Sequence, residues 1–134
     1  MRFGWTILHV SDVGATVDFY ERAFGLARRF VHESGEYAEM ETGDTALAFS
    51  AHALVARLGF ENPGGARPHG TEIALVTDED RVDEAYRRAV EAGAAAVVPP
   101  ERRPWGQVVG FVRDPNGFLV EICSPVPPPP PGGG

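Results

Sequence analysis

The sequence is nearly without cysteine. Cys123 stands alone among 134 residues, so no disulfide can form within the chain, which fits a reducing compartment. No apolar run approaches the roughly 20 residues needed to span a bilayer. The start, Met1-Arg-Phe-Gly4, has no signal-peptide core. A cytoplasmic protein with no membrane partner is the expectation. Basic clusters are also missing. With a formal net charge of -7 and a pI near 5.0 there is nothing to attract nucleic-acid phosphates.

What the sequence does contain is one pattern stated twice. Trp5-Thr-Ile-Leu-His-Val-Ser-Asp12, then Val17-Asp-Phe-Tyr20 and Gly25, is echoed by Glu72-Ile-Ala-Leu-Val-Thr-Asp78, then Val82-Asp-Glu-Ala-Tyr86 and Gly93. A short apolar run ends on Asp, an amphipathic stretch follows, and Gly stops it. That order reads as strand, N-cap, helix, C-cap. An apolar content of 43% over this length can bury one core, so a pseudo-symmetric single domain over 1–124 is expected, with sites where the copies meet.

In the first module (3–51), the period of two puts Trp5, Ile7 and His9 on one strand face and Leu8 and Val10 on the other. Val13, Val17, Tyr20 and Phe24 recur at helical spacing and form the face that packs on the sheet. Three strands are expected to follow, Ala27 to Glu33, Tyr37 to Glu41 and Thr45 to Ser50. In the second module (69–124), strand Glu72 to Thr77 leads to a helix from about Asp80 to Ala92 with a stripe of Val82, Ala85, Tyr86, Ala89 and Val90. Strands Ala95 to Val98, Val108 to Arg113 and Phe118 to Cys123 come next, the last two joined by the turn Asp114-Pro-Asn-Gly117. Each module is βαβββ. Residues 52–68 form a connector or lid with room for a short helix at Ala53 to Leu58. The tail 125–134, which holds six of the twelve prolines, is expected to be a flexible, solvated polyproline II stub without function.

The paired modules, the phrase Val17-Asp-Phe-Tyr-Glu-Arg-Ala-Phe-Gly25, the segment Pro104-Trp-Gly-Gln107 and the ending Asp114-Pro-Asn-Gly-Phe-Leu-Val-Glu121 resemble the vicinal oxygen chelate superfamily over residues 3 to 124. Its members include glyoxalase I, bleomycin-resistance proteins, fosfomycin-resistance enzymes and extradiol dioxygenases. The resemblance implies an α+β fold in which two βαβββ modules form a cupped mixed sheet. It also implies a homodimer. Its motifs specify the fold and leave the chemistry open, because isomerases, transferases, dioxygenases and pure binding proteins share it.

The family's metal enzymes place ligands at four corners, which carried onto this chain are Trp5, Ala48 (or Phe49 in the alternative register), Glu72 and Glu121. A Lewis-acidic divalent ion needs three or four convergent donors. Two carboxylates, an indole and a methyl group fall short, so no metal cofactor is expected. If a metal such as Zn, Ni, Mn or Fe binds, Glu72 and Glu121 are its ligands. His9 shares the Trp5 face but lies about 13 Å along the strand at ~3.3 Å per residue. His69 precedes Glu72 by three residues and could swing in.

Two readings of the acidic pair stay open. Glu72 and Glu121 serve as a base or as acceptors for a cationic ligand, one with a raised pKa, or each is solvated or paired with an arginine such as Arg113. Trp105, between proline and glycine on a loop, is the favoured ligand contact, because the family's antibiotic-binding members stack a tryptophan from a similar segment on planar drug rings. The competing reading makes it a hydrophobic plug over the sheet edge. The expected ligand-binding set is Trp5, His9, Phe49, Phe60, Glu72, Trp105, Phe111, Arg113 and Glu121. The leading function is a metal-free protein that sequesters a planar aromatic molecule such as an antibiotic or metabolite. The alternative is a divalent-metal-dependent isomerase, lyase or dioxygenase.

Overall fold

A computed structural model describes residues 1, 3–59 and 70–127 of the chain. It contains two compact units, Met1–Arg67 and Pro68–Gly134. Each has βαβββ order around its own four-stranded mixed sheet.

In the first unit, β1 (Trp5–Val10) leads to α1 (Val13–Phe24), then β2 (Ala27–Val31), β3 (Tyr37–Glu41), β4 (Ala46–Ala51) and a short α2 (His52–Arg57). The sheet order is β1-β4-β3-β2, with β1 and β4 parallel and the other pairs antiparallel. Helix α1 starts where Asp12 Oδ1 accepts a hydrogen bond from the Ala15 amide at 3.0 Å, and it stops at Gly25, whose φ of 68° suits a residue without Cβ. Of its expected stripe Val13, Val17 and Tyr20 are buried and Phe24 is half-buried, and Phe19 joins the buried set. The Tyr20 ring meets Phe49 at 5.0 Å between centroids.

That contact corrects the sequence reading of Phe49. Leu8 pairs with Phe49 and Ile7 with Ala48, so Phe49 takes the helix side of β4 and has 0% exposure. It belongs to the core, where burying such a ring stabilises by roughly 1.5–3 kcal/mol. Ala48, in the first of the two registers considered, shares the Trp5 face.

In the second unit, β5 (Glu72–Val76) is followed by a single 3-10 turn (Glu79–Arg81), α3 (Val82–Glu91), β6 (Ala95–Arg102), β7 (Val108–Arg113) and β8 (Leu119–Cys123). The order β5-β8-β7-β6 repeats that of the first unit, again with the first and last strands parallel. Two local expectations are corrected. Asp78 makes no side-chain cap, because the 3-10 turn separates it from the first residue of α3. Strand β6 runs on through Pro99 and Pro100 to Arg102 instead of ending at Val98, because it is an edge strand and pairing with β7 resumes at Glu101 after two register shifts. The α3 stripe buries Val82 and Ala89 but leaves Val90 exposed.

Two details hold β7 in place. A Cβ on Gly110 would lie 3.1 Å from both the Tyr86 ring and Pro100, so glycine lets α3 and β6 approach closely. In the turn after β7, buried Asp114 accepts the Asn116 and Phe118 amides at 2.9 and 2.8 Å, and Gly117 adopts φ 90°. Among the described residues no helix is long and apolar enough to cross a membrane. Phe60 and His69 lie outside the described residues, as does the tail beyond Pro127.

Candidate functional site

Each sheet has a face turned away from its helix, and the strand pairings fix what stands there. In the first unit the rows are Ile7, Ala48, Glu39 and His9, Ser50, Tyr37, with Trp5 beside Ala46 at the end of β1. In the second unit they are Glu72, Leu119, Arg113, then Ala74, Glu121, Phe111, then Val76, Cys123, Val109. The middle rows correspond. The carboxylate has moved, from the last strand in the second unit (Glu121) to the third strand in the first (Glu39).

Glu39 is the residue that sequence reasoning missed. It is only 8% exposed, and its carboxylate accepts hydrogen bonds from the Trp5 indole N–H at 3.0 Å, the Tyr37 hydroxyl at 2.7 Å and the Arg29 guanidinium at 3.2 Å. Arg29 also donates to Glu41 at 2.7 Å. The signal was present in Tyr37-Ala-Glu-Met-Glu41, whose period of two puts three polar groups on the open face. The pairing of β3 with β4, which brings them toward Trp5, is long-range and was not visible. Burial, and then the bond to Glu39, push the Tyr37 hydroxyl up to about 12, so it remains a donor at neutral pH. Trp5 is 55% exposed despite its bond.

In the second unit Glu72 is exposed and Glu121 is half-buried beside Phe111. Burial, with the Glu72 charge adding to it, pushes the Glu121 carboxyl above its ordinary value. Arg113 does not neutralise either acid: its Nη1 donates to the Gly117 carbonyl at 2.8 Å, and among the described residues it forms no ion pair with them. Cys123, below Glu121 on the same strand, is buried. Its thiol is pushed up by burial and then by the two acids, which makes it a poor nucleophile.

Trp105 sits at the tip of the β6–β7 connection and is 58% exposed, which removes the plug reading. The Gly106 amide donates to the Arg103 carbonyl at 2.9 Å and the Arg103 amide to the Gln107 carbonyl at 2.8 Å. Pro104 takes the first central position of this turn, and Gly106 the left-handed one, at φ 97°. The indole N–H donates to Gln107 Oε1 at 2.8 Å. Gln107 was quoted in the sequence only as part of a motif, and the structure gives it a partner on each side.

The four corners do not fit a metal. Trp5 offers no donor and is itself bonded to Glu39. Ala48 offers none. Glu39, the only carboxylate in the middle row of that face, is engaged by three donors, one of them cationic. Glu72 and Glu121 remain, two ligands where three or four must converge. Among the described residues no group of three or more His, Cys, Asp or Glu is placed to hold an ion. His9 is exposed on its strand next to Ser50, with no acid in its row.

Of the expected set, Trp5 and His9 share the open face of the first unit, and Glu72, Phe111, Arg113 and Glu121 that of the second. Trp105 stands on its loop, and Phe49 is in the core. Comparison with known proteins agrees with this architecture. A family model for the Glyoxalase/Bleomycin resistance protein/Dioxygenase superfamily matches residues 2–122. The chain is 27% identical over 117 residues to YraH of Bacillus subtilis, covering 86% of this chain and 91% of that protein. It is 30% identical over 116 residues to the metallothiol transferase FosB of Shouchella clausii, covering 84% and 73%. The crystal structure of a glyoxalase-related enzyme from Fulvimarina pelagi superposes with a TM-score of 0.82 at 26% identity, covering 93% of this chain and 88% of that one. The chain belongs to the glyoxalase/bleomycin resistance protein/dioxygenase superfamily.

Proposed function

We propose that this protein is a cytoplasmic, metal-free member of its superfamily that binds and sequesters a planar aromatic small molecule, such as an antibiotic or metabolite, as a homodimer. The observation that carries the reading is the exposed, hydrogen-bonded indole of Trp105: a large aromatic at a loop tip, held by a bond to Gln107 yet 58% exposed, offers a flat face on which a planar ring can stack. In the first unit Trp5 exposes an indole of its own, at a position the family's metal enzymes give to a ligand. Glu72 and Glu121 supply acidic acceptors that favour a cationic ligand.

The alternative, a divalent-metal-dependent enzyme, draws on the metallothiol transferase relative and on the carboxylates of Glu72 and Glu121. One experiment separates the two. Polycyclic aromatic antibiotics are titrated against tryptophan fluorescence with wild type and Trp105→Ala, alongside elemental analysis of protein purified without chelators. Affinity is expected to fall about tenfold or more in the variant, from lost stacking and burial, while its melting temperature stays within about 2 °C of wild type, as for a surface substitution. Equal affinity would remove Trp105 from the site. One metal per chain, lost on Glu121→Gln, would overturn the metal-free reading.

A further inference from the structure

Trp105 does not need Gln107 for its hydrogen bond. An exposed indole N–H can bond to water, so its bond to a buried amide is not required by the donor; the bond satisfies the amide oxygen and at the same time ties the ring to a fixed point. Gln107 is only 9% exposed. Its Nε2 donates to the Ser124 carbonyl at 2.8 Å, while its Oε1 accepts from Trp105 at 2.8 Å. The two bonds together fix which way the amide faces. Ser124 is itself tied into the sheet: its amide donates to the Val108 carbonyl at 2.9 Å, and its Oγ accepts the Val108 amide at 2.9 Å. A chain of bonds thus runs from the buried end of β8 to an exposed ring. The turn beneath is braced too, by Arg102 Nη1 donating to the Gly106 carbonyl at 2.7 Å.

The first unit repeats the device with different residues. There the buried acceptor is Glu39 and the exposed indole is Trp5, at 3.0 Å.

Building on the aromatic-binding reading above, we propose that Gln107 is a positioning residue that presents Trp105 as a fixed plane, so that the ligand is recognised through the indole face rather than through its N–H. A ring already fixed loses little freedom on binding. With the N–H committed, what remains is a flat, electron-rich surface, which suits a planar cation.

The test uses ethidium, a planar ring system with a permanent positive charge, and a Trp5→Phe background in which Trp105 is the only tryptophan. Near-ultraviolet circular dichroism reports the order of the indole without any ligand, and fluorescence titration reports affinity. Adding Gln107→Leu is expected to flatten the Trp105 band and weaken ethidium binding about two- to tenfold, the range of one aromatic contact. Gln107→Glu supplies a sharper arm. Its carboxyl matches the amide only when protonated, with one O–H to donate to Ser124 and one oxygen to accept from Trp105. Ionised, it still accepts from the indole, as Glu39 does from Trp5, but has no proton to give the Ser124 carbonyl, so the anchor to the sheet is lost. The Trp105 band should therefore approach the parent at about pH 4–5 and flatten by pH 8, relative to the parent at each pH; the band alone is read in this arm, because the new charge itself attracts ethidium. This arm also decides the matter if Gln107→Leu fails to fold. An unchanged band in Gln107→Leu, or a Gln107→Glu band that does not respond to pH, overturns the proposal. If the band depends on Gln107 but wild type, with both tryptophans in place, binds neither ethidium nor any other planar aromatic, the positioning stands and the binding function fails.

Discussion

Glu121 is a residue whose surroundings change its chemistry. Burial, and then the charge of Glu72, raise its pKa above the ordinary carboxylate value. An acid with a folded pKa above its unfolded one binds more protons when folded, so stability declines as pH rises from the unfolded pKa through the folded one. Glu121→Gln removes that decline. The melting temperatures of variant and wild type should therefore nearly coincide at about pH 4 and separate in favour of the variant toward pH 7. A constant offset across the range would show that Glu121 does not titrate this way. Glu21, Glu36 and Glu41 behave oppositely. Arginine partners hold them below their ordinary values, so their contributions are present near neutrality and fade in acid, though exposed pairs of this kind stabilise little.

At the scale of elements, the two modules start their helices differently. In the first, Asp12 caps α1 directly, and Asp12→Ala should cost about 1 kcal/mol by denaturant melting. In the second, Asp78 makes no cap bond, so Asp78→Ala should be nearly neutral, within about 0.5 kcal/mol as for a surface site. Equal losses in the two variants would contradict the assignment of the 3-10 turn. Strand β7 offers a second check. A methyl group at Gly110 would press on the Tyr86 ring and on the Pro100 backbone nitrogen, both at 3.1 Å, and backbone cannot swing away. Gly110→Ala is therefore expected to destabilise by about 1–3 kcal/mol through overpacking. A variant as stable as wild type would mean that α3 and β6 can move apart freely.

For the whole molecule the open question is assembly. Strands β1 and β5 are each the edge of a four-stranded sheet, and they expose Trp5, Ile7 and Val76. Edges and apolar faces of this kind are normally covered, most often by two-fold pairing. Light scattering at micromolar concentration should give twice the 14.4 kDa chain mass. A value equal to one chain would show that this protein works as a monomer.

Local chemistry was enough for much of this. Asp12 and Gly25 bound α1, the period of two sorted Trp5, Ile7 and His9 from Leu8 and Val10, and Asp114-Pro-Asn-Gly117 marked its own turn, because caps, strand faces and turns depend on neighbours a few residues away. The superfamily, too, was legible, from the repeat and its motifs. Only tertiary structure could decide the rest. Phe49 went to the core because the β1–β4 register set its face, and β6 ran through two prolines because it lies at an edge. Glu39 became the anchor of Trp5 across 34 residues, and Gln107 gained its second bond from Ser124, 17 residues away. Each of these depends on which strand lies beside which. Strand pairing is a property of the folded sheet and not of any local stretch of sequence.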